Sequence, residues 1–113
     1  MTKIISYKEF EAVDIRVGTI ISAEENLKLK NPSMILKIDF GEKIGIKKSS
    51  AQLINNYKPK DLINKQIAAV VNFKSKQIGN LISEVLVLGF PDNSNDPILI
   101  EPNKVVSNGG KLF

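Results

Sequence analysis

Two short stretches set lysines beside side chains that hydrogen-bond. The first is NFKSKQIGN, residues 72–80, lying between the apolar runs IAAVV and SEVLVLG. Its Lys74 and Lys76 could each neutralise a phosphate and release a condensed counterion. Asn72 and Gln77 carry amides that donate and accept, which suits base edges or ribose hydroxyls. Gly79 would let the backbone turn or approach a ligand closely. A solvated loop that holds lysines because loops do is the other reading. The second stretch is KKSSAQ, residues 47–52. Lys47 and Lys48 are expected at a strand end, one outward and one toward the rim of the core. Ser49 and Gln52 have the spacing of a capping box, so Ser49 and Ser50 are expected to open a helix. The free N–H groups of such a start favour an anion, a phosphate or a peptide carboxylate, or else serve capping alone. Arg16, the one arginine, could pair with Asp14 or Glu84, or present its planar fork to a phosphate or base. Glu84 would repel phosphate, but could hold a lysine, accept from a base amine or meet a peptide.

Composition removes most chemistry. The chain has no histidine and no cysteine, so the usual general base, the commonest transition-metal ligand and disulfides are all absent. It has no Gly-rich phosphate loop and no acidic cluster suited to magnesium. A Ser–Lys pair within KKSS would need a desolvated lysine, and two adjacent lysines at a strand end do not supply one. The expectation is a binding protein, not an enzyme, with no cofactor and no metal.

Charge is unevenly spread. Residues 28–76 hold eleven lysines against Asp39, Glu42 and Asp61, a local charge of +8, while the flanks carry −4 and the total is +4. A basic middle with acidic flanks suits a phosphate-binding face, although lysine-rich surfaces are common. At 113 residues the chain is expected to form one domain over 1–113. No apolar run approaches the ~20 residues that cross a bilayer, and MTKIISYKEF lacks the features of a secretory signal. A cytoplasmic location is therefore expected.

These residues need elements to position them. ISYKEFEAV reads as a short helix, with Ser6 and Glu9 as capping box and Ile5 and Phe10 spaced as a hydrophobic staple. DIRVGTIISAEE alternates with period two, and its Gly18 suggests a bend or bulge. KLKNPS is a turn. MILKIDFG alternates, with Leu36, Ile38 and Phe40 on one face. IGIKK returns with Ile44 and Ile46 inward. SAQLINNY is expected to be a helix that Pro59 stops. KQIAAVVNF and SEVLVLG are strands, PDNSND a loop, PILIEP a short strand, and Asn108–Gly110 a turn. Helix, three strands, helix and two strands is the order of an OB-fold, an all-β five-stranded barrel that commonly binds oligonucleotides.

DIRVGTI (14–20), IKKSSAQL (46–53), VVNF (70–73) and SEVLVLG (83–89), in that order and spacing, resemble the tRNA-binding domain family over about residues 7–113. The resemblance implies an OB barrel whose N-terminal helix and C-terminal strand extension support a homodimer. It implies binding of tRNA or other structured RNA, through Lys47, Lys48, Ser49, Ser50, Gln52, Asn72, Lys74, Lys76, Gln77 and Ser83, with Arg16 and Glu84 left open. For the stand-alone members it also implies a proposed chaperone role in protein export, with unfolded or precursor polypeptides as clients. The sequence departs from synthetase-appended relatives where Gln77 and Asn80 replace basic residues, which should weaken tRNA binding and flatten its salt dependence. With five Phe, two Tyr and no Trp, and Phe40 and Phe73 expected in the core, base stacking has little support.

Overall fold

A computed structural model describes residues 2–28 and 30–113. The chain opens with α1 (Tyr7–Glu11), started as expected by Ser6, whose hydroxyl accepts from the Glu9 N–H while the Glu9 carboxylate accepts from the Ser6 N–H. β1 (Ile15–Asn26), β2 (Ser33–Asp39) and β3 (Ile46–Ala51) follow, then α2 (Pro59–Leu62) and β4 (Gln66–Val70). β5 (Lys76–Ile78) and β6 (Leu81–Ser83) form a hairpin, β7 (Leu86–Val87) is brief, and β8 (Gly89–Pro91) and β9 (Pro97–Leu99) form a second hairpin. The main sheet runs β3-β2-β1-β4-β7, antiparallel throughout. A curled five-stranded antiparallel sheet of this order is the OB-type barrel expected from the sequence. Among the described residues no helix is long and apolar enough to cross a membrane.

Alternation makes the core. Leu36, Ile38 and Phe40 are buried, and they pack with Ile20, Met34, Leu53, Leu62, Ile67 and Val85. β1 serves two neighbours, pairing with β4 through Ile15–Thr19 and with β2 from Thr19 onward. Its bulge falls at Ile21, between the Ile20↔Ile38 and Ser22↔Lys37 pairs, and so not at Gly18. Gly18 instead answers a close approach: a Cβ there would stand 2.7 Å from Ile38 Cγ2 and from Phe40 Cδ1. The C-terminal segment lies along the first half of β1, with Val17 N–H donating to Gly110 O, Gly109 N–H to Val17 O and Leu112 N–H to Ile15 O.

Four local expectations are corrected. Ser49–Ala51 are not a helix start but the end of β3, paired Leu36↔Ser49, Ile35↔Ser50 and Met34↔Ala51. Ladder bonds to β2 outweigh the local capping pattern, and the helix that forms later begins at Pro59, where its missing N–H is harmless. Ile46 is exposed, because burial of Ser49 fixes the phase of β3 and turns Ile46 outward. Ile44, also expected inward, does pack against the core. Phe73 is exposed rather than buried, since β4 has ended at Val70. Part of the expected lysine-rich loop is the regular β5–β6 hairpin. The turn expected over 28–33 includes Leu29, which lies outside the described residues.

The PDNSND loop is fastened by Asp92. One carboxylate oxygen accepts from the Ser94 N–H at 2.8 Å and the Asp96 N–H at 2.9 Å, and the other from Asn56 Nδ2 at 2.9 Å. The Asn56 amide, then the backbone donors of Asp96 and Ser94, hold its pKa below the usual carboxylate value, because each bond favours the charged form.

Substituting Gly18→Ala should cost about 1–3 kcal/mol of unfolding free energy, read from denaturant curves; an unchanged midpoint would mean that the close approach is not real. The depressed Asp92 pKa gives a second expectation. Its contribution is complete above the unfolded-state pKa and is lost as pH falls through the lower folded-state value. Thermal melts across the acid range should show Asp92→Asn losing part of this acid-side dependence. Identical pH profiles for the two proteins would contradict it.

Candidate nucleic-acid interface

β3 is an edge strand, and an edge strand exposes a row of unpaired backbone groups. Here side-chain and backbone groups of residues 83–85 occupy it. Ser83 Oγ accepts from the Ser50 N–H at 3.0 Å, and a Glu84 carboxylate oxygen accepts from the Lys48 N–H at 2.9 Å. The Glu84 N–H donates to Lys48 O at 2.8 Å, and the Ser49 hydroxyl donates to Val85 O at 3.1 Å. This seam brings β6, and with it the hairpin, against β3. Lys76 is the register partner of Ser83, so the seam links the strand that carries Lys76 to β3, while Lys74 precedes the hairpin. Gly79 adopts φ +62° in the Gly79–Asn80 turn, and Gln77 Nε2 donates to Gly79 O at 3.1 Å.

The expected residues divide into three groups. Lys48, Lys74, Lys76, Gln77 and Gln52 are exposed, and Lys47 is half-buried on the core-facing side opposite Ile38. Lys48 therefore points outward and Lys47 toward the rim, as the strand pattern required. Ser49, Ser50 and Ser83 belong to the fold: Ser49 is 1% exposed, the Ser50 hydroxyl shares a hydrogen bond with that of Ser33, and Ser83 completes the seam. Asn72 is also engaged. Its Nδ2 donates to Ala12 O at 2.8 Å and its Oδ1 accepts from the Asp14 N–H at 3.0 Å, tying the end of β4 to the α1–β1 connection. Without a helix at Ser49 there is no helix-start anion site, and Gln52 lies beyond β3 beside Asn31, Asn55 and Asp96.

Arg16 and Glu84 have defined partners. Arg16 Nε donates to Asp14 Oδ1 at 2.6 Å and Nη1 to Gly109 O at 2.9 Å, which places the guanidinium against the C-terminal segment. Glu84 caps the edge of β3 and makes no ion pair among the described residues. The ion pairs there are Lys3–Glu9, Arg16–Asp14 and Lys65–Glu101, so Lys47, Lys48, Lys74 and Lys76 have no carboxylate within 4.0 Å. Sequence reading missed Lys37, which lies directly opposite Lys48. The alternation of β2 indicates that Lys37 faces outward, but only the β2–β3 register reveals its neighbour.

A second surface shares none of these lysines. An apolar groove of about 540 Å³ is lined by Ile15, Val17, Ala68, Ile100, Val106 and Leu112 among others, with Arg16 and Lys111 at its margin.

Residues 15–111 match the family described as "Putative tRNA binding domain". The chain is 42% identical to the chaperone CsaA from Bacillus anthracis (TM-score 0.91), with 98% of this chain and all of that one covered. A CsaA chaperone protein from Picrophilus torridus is 47% identical (TM-score 0.89), with coverage of 97% and 100%. A MetRS-related protein from Pyrococcus horikoshii, 21% identical with a TM-score of 0.86, shares the fold. Among curated relatives, methionine–tRNA ligases of Methanococcoides burtonii and Methanothrix thermoacetophila are 32% and 33% identical over 94% of this chain. The chain spans 15% of the length of either ligase.

The two bonds of Asn72 assign it a structural task. Asn72→Ala should lower unfolding free energy by about 1 kcal/mol and leave the salt dependence of any RNA binding unchanged. Chemical unfolding and binding titrations of the same preparation check both. Full stability with weakened binding would make Asn72 a ligand contact instead.

Proposed function

The chain belongs to the tRNA-binding domain family, and from that membership we propose that it is a non-enzymatic module binding tRNA or similarly structured RNA. The observation that supports the reading is the seam between β3 and residues 83–85, which ties the strand of Lys48 to the hairpin that carries Lys76, while among the described residues Lys48, Lys74 and Lys76 form no ion pair. Lysines free of ion pairs can displace counterions from phosphate. Lysine also presents a compact charge rather than a planar fork, so such contacts follow backbone shape rather than sequence. A cytoplasmic protein is consistent with that ligand.

A second reading has its own observation. The apolar groove beside β1, which Phe113 lines while itself fully exposed, is an apolar surface of the kind that marks a polypeptide-binding or interaction site. We propose that a second copy of the chain covers part of it and that unfolded polypeptide uses what remains, in keeping with the chaperone named in the CsaA structures.

Fluorescence anisotropy with labelled bulk tRNA at several salt concentrations separates the readings. Wild type should bind with about micromolar affinity, falling with salt, and Lys74→Ala/Lys76→Ala should reduce the log–log salt slope by about 1.4–1.8. No binding at low salt would overturn the RNA reading and put the polypeptide reading first. Sedimentation of the same protein should give twice the chain mass; a monomer would remove the second copy from the groove.

A further inference from the structure

Lys37 and Lys48 are cross-strand partners in the β2–β3 ladder. Both are exposed, and both face outward because Leu36, Ile38 and Ser49 take the inner face. Directly opposed side chains have Cβ atoms about 4.5–5.5 Å apart, and like charges so placed are destabilising. Two ammonium groups held together need an anion, and the surrounding residues leave them without one.

None of the nearby acids forms an ion pair with either lysine among the described residues. Asp39 follows on the same face of β2, but its carboxylate accepts from the Gly41 N–H at 2.9 Å. Glu84 reaches the Lys48 backbone, where one oxygen accepts the N–H at 2.9 Å. On β1, Lys37 is paired with Ser22, while Glu24 is paired with Ile35. Outward neighbours on β3 are Ile46 and Ser50. Among the described residues neither lysine has a carboxylate within 4.0 Å.

We propose that Lys37 and Lys48 form a two-ammonium clamp for a single backbone phosphate of the bound RNA. The inference rests on the RNA reading above and adds a residue on β2 to it. A phosphodiester offers one negative charge on two unesterified oxygens, so each ammonium can donate to one of them while the charge between the two offsets part of their repulsion. The repulsion stored in the free protein is relieved on binding. The seam ties β3 to the hairpin that carries Lys76, and the clamp would make β2 as well as the hairpin part of the interface. Neither clamp residue carries a fork or a ring, so the site holds the backbone and reads no base.

The test is a double-substitution cycle with labelled bulk tRNA over a range of salt, using Lys37→Met and Lys48→Met to keep the aliphatic stems. Each single variant should bind several-fold more weakly at low salt, and the double variant's log–log salt slope should be lower by about one, the contribution of a single phosphate. If both hold one phosphate, the double variant should lose distinctly less than the product of the two single losses. Thermal melts without RNA should show Lys37→Met unfolding no earlier than wild type at low salt, because a repulsion has been removed; Lys37→Arg, which keeps the charge, should restore binding. Unchanged affinity in Lys37→Met, with binding still weakened by Lys74→Ala/Lys76→Ala, overturns the clamp and spares the RNA reading. Losses that multiply fully mean two separate phosphates and also overturn it. Failure of wild type to bind at low salt overturns both.

Discussion

The free edge of β3 is the constraint on which the arrangement depends. A five-stranded sheet of order β3-β2-β1-β4-β7 leaves β3 with one unpaired side, and an unpaired side must be covered, charged or bonded. This chain bonds it with side chains. Ser83 and Glu84 each accept a β3 N–H, Glu84 returns its own N–H, and the buried Ser49 hydroxyl reaches Val85 O. A regular ladder would need residues 83–85 to match β3 in register. Side-chain acceptors relax that demand, so the chain can leave the hairpin and enter β7 within a few residues. Glu84, a misfit on a phosphate-binding face, is explained by this work on the edge.

Closure on the other side uses a different device. β1 is shared between β4 and β2, and its bulge at Ile21 falls just after the partners change over at Thr19. Gly18, just before that point, lets Ile38 and Phe40 approach the backbone. The C-terminal segment then runs along the first half of β1. It is held by Gln66, whose amide donates to Val106 O and accepts from the Val106 N–H, and by Thr19, whose hydroxyl donates to Asn108 Oδ1. Arg16 belongs to this lock through Asp14 and Gly109 O.

How much of this the sequence discloses follows from the range of each interaction. The α1 capping box spans three residues and was legible, as was the alternation of Leu36, Ile38 and Phe40. The strand order came from the pattern with the family motifs beside it. Ser49 and Gln52 show the limit. Their spacing is a helix-start signal, but β2 offers Ser49–Ala51 a ladder and Val85 offers the Ser49 hydroxyl a buried acceptor. Neither partner is near in sequence, so the long-range bonds win where local reading sees only a cap. Asn72 misleads similarly: beside lysines it reads as a ligand group, yet both ends of its amide are bonded to residues about sixty positions away. Phe73 reads as core because it follows an apolar run, but the strand ends three residues before it.

The lysines that remain after these subtractions form a more specific arrangement than the basic segment suggested. Eleven lysines in residues 28–76 give a charge and no geometry. With the inward-leaning Lys47 and Lys65, which is paired with Glu101, set aside, the β2–β3 register singles out Lys37 and Lys48 as opposed across two strands, and the seam links the strand of Lys76 to β3. Arginine, the side chain suited to bidentate base reading, is committed to the C-terminal lock at the margin of the apolar groove. On the proposed reading, recognition at the cationic edge therefore rests mainly on point charges without forks, with the exposed ring of Phe73 next to Lys74. Such a surface distinguishes ligands by the spacing of their phosphates. That spacing is set by RNA shape, so a structured RNA is a better match than a flexible single strand of the same charge.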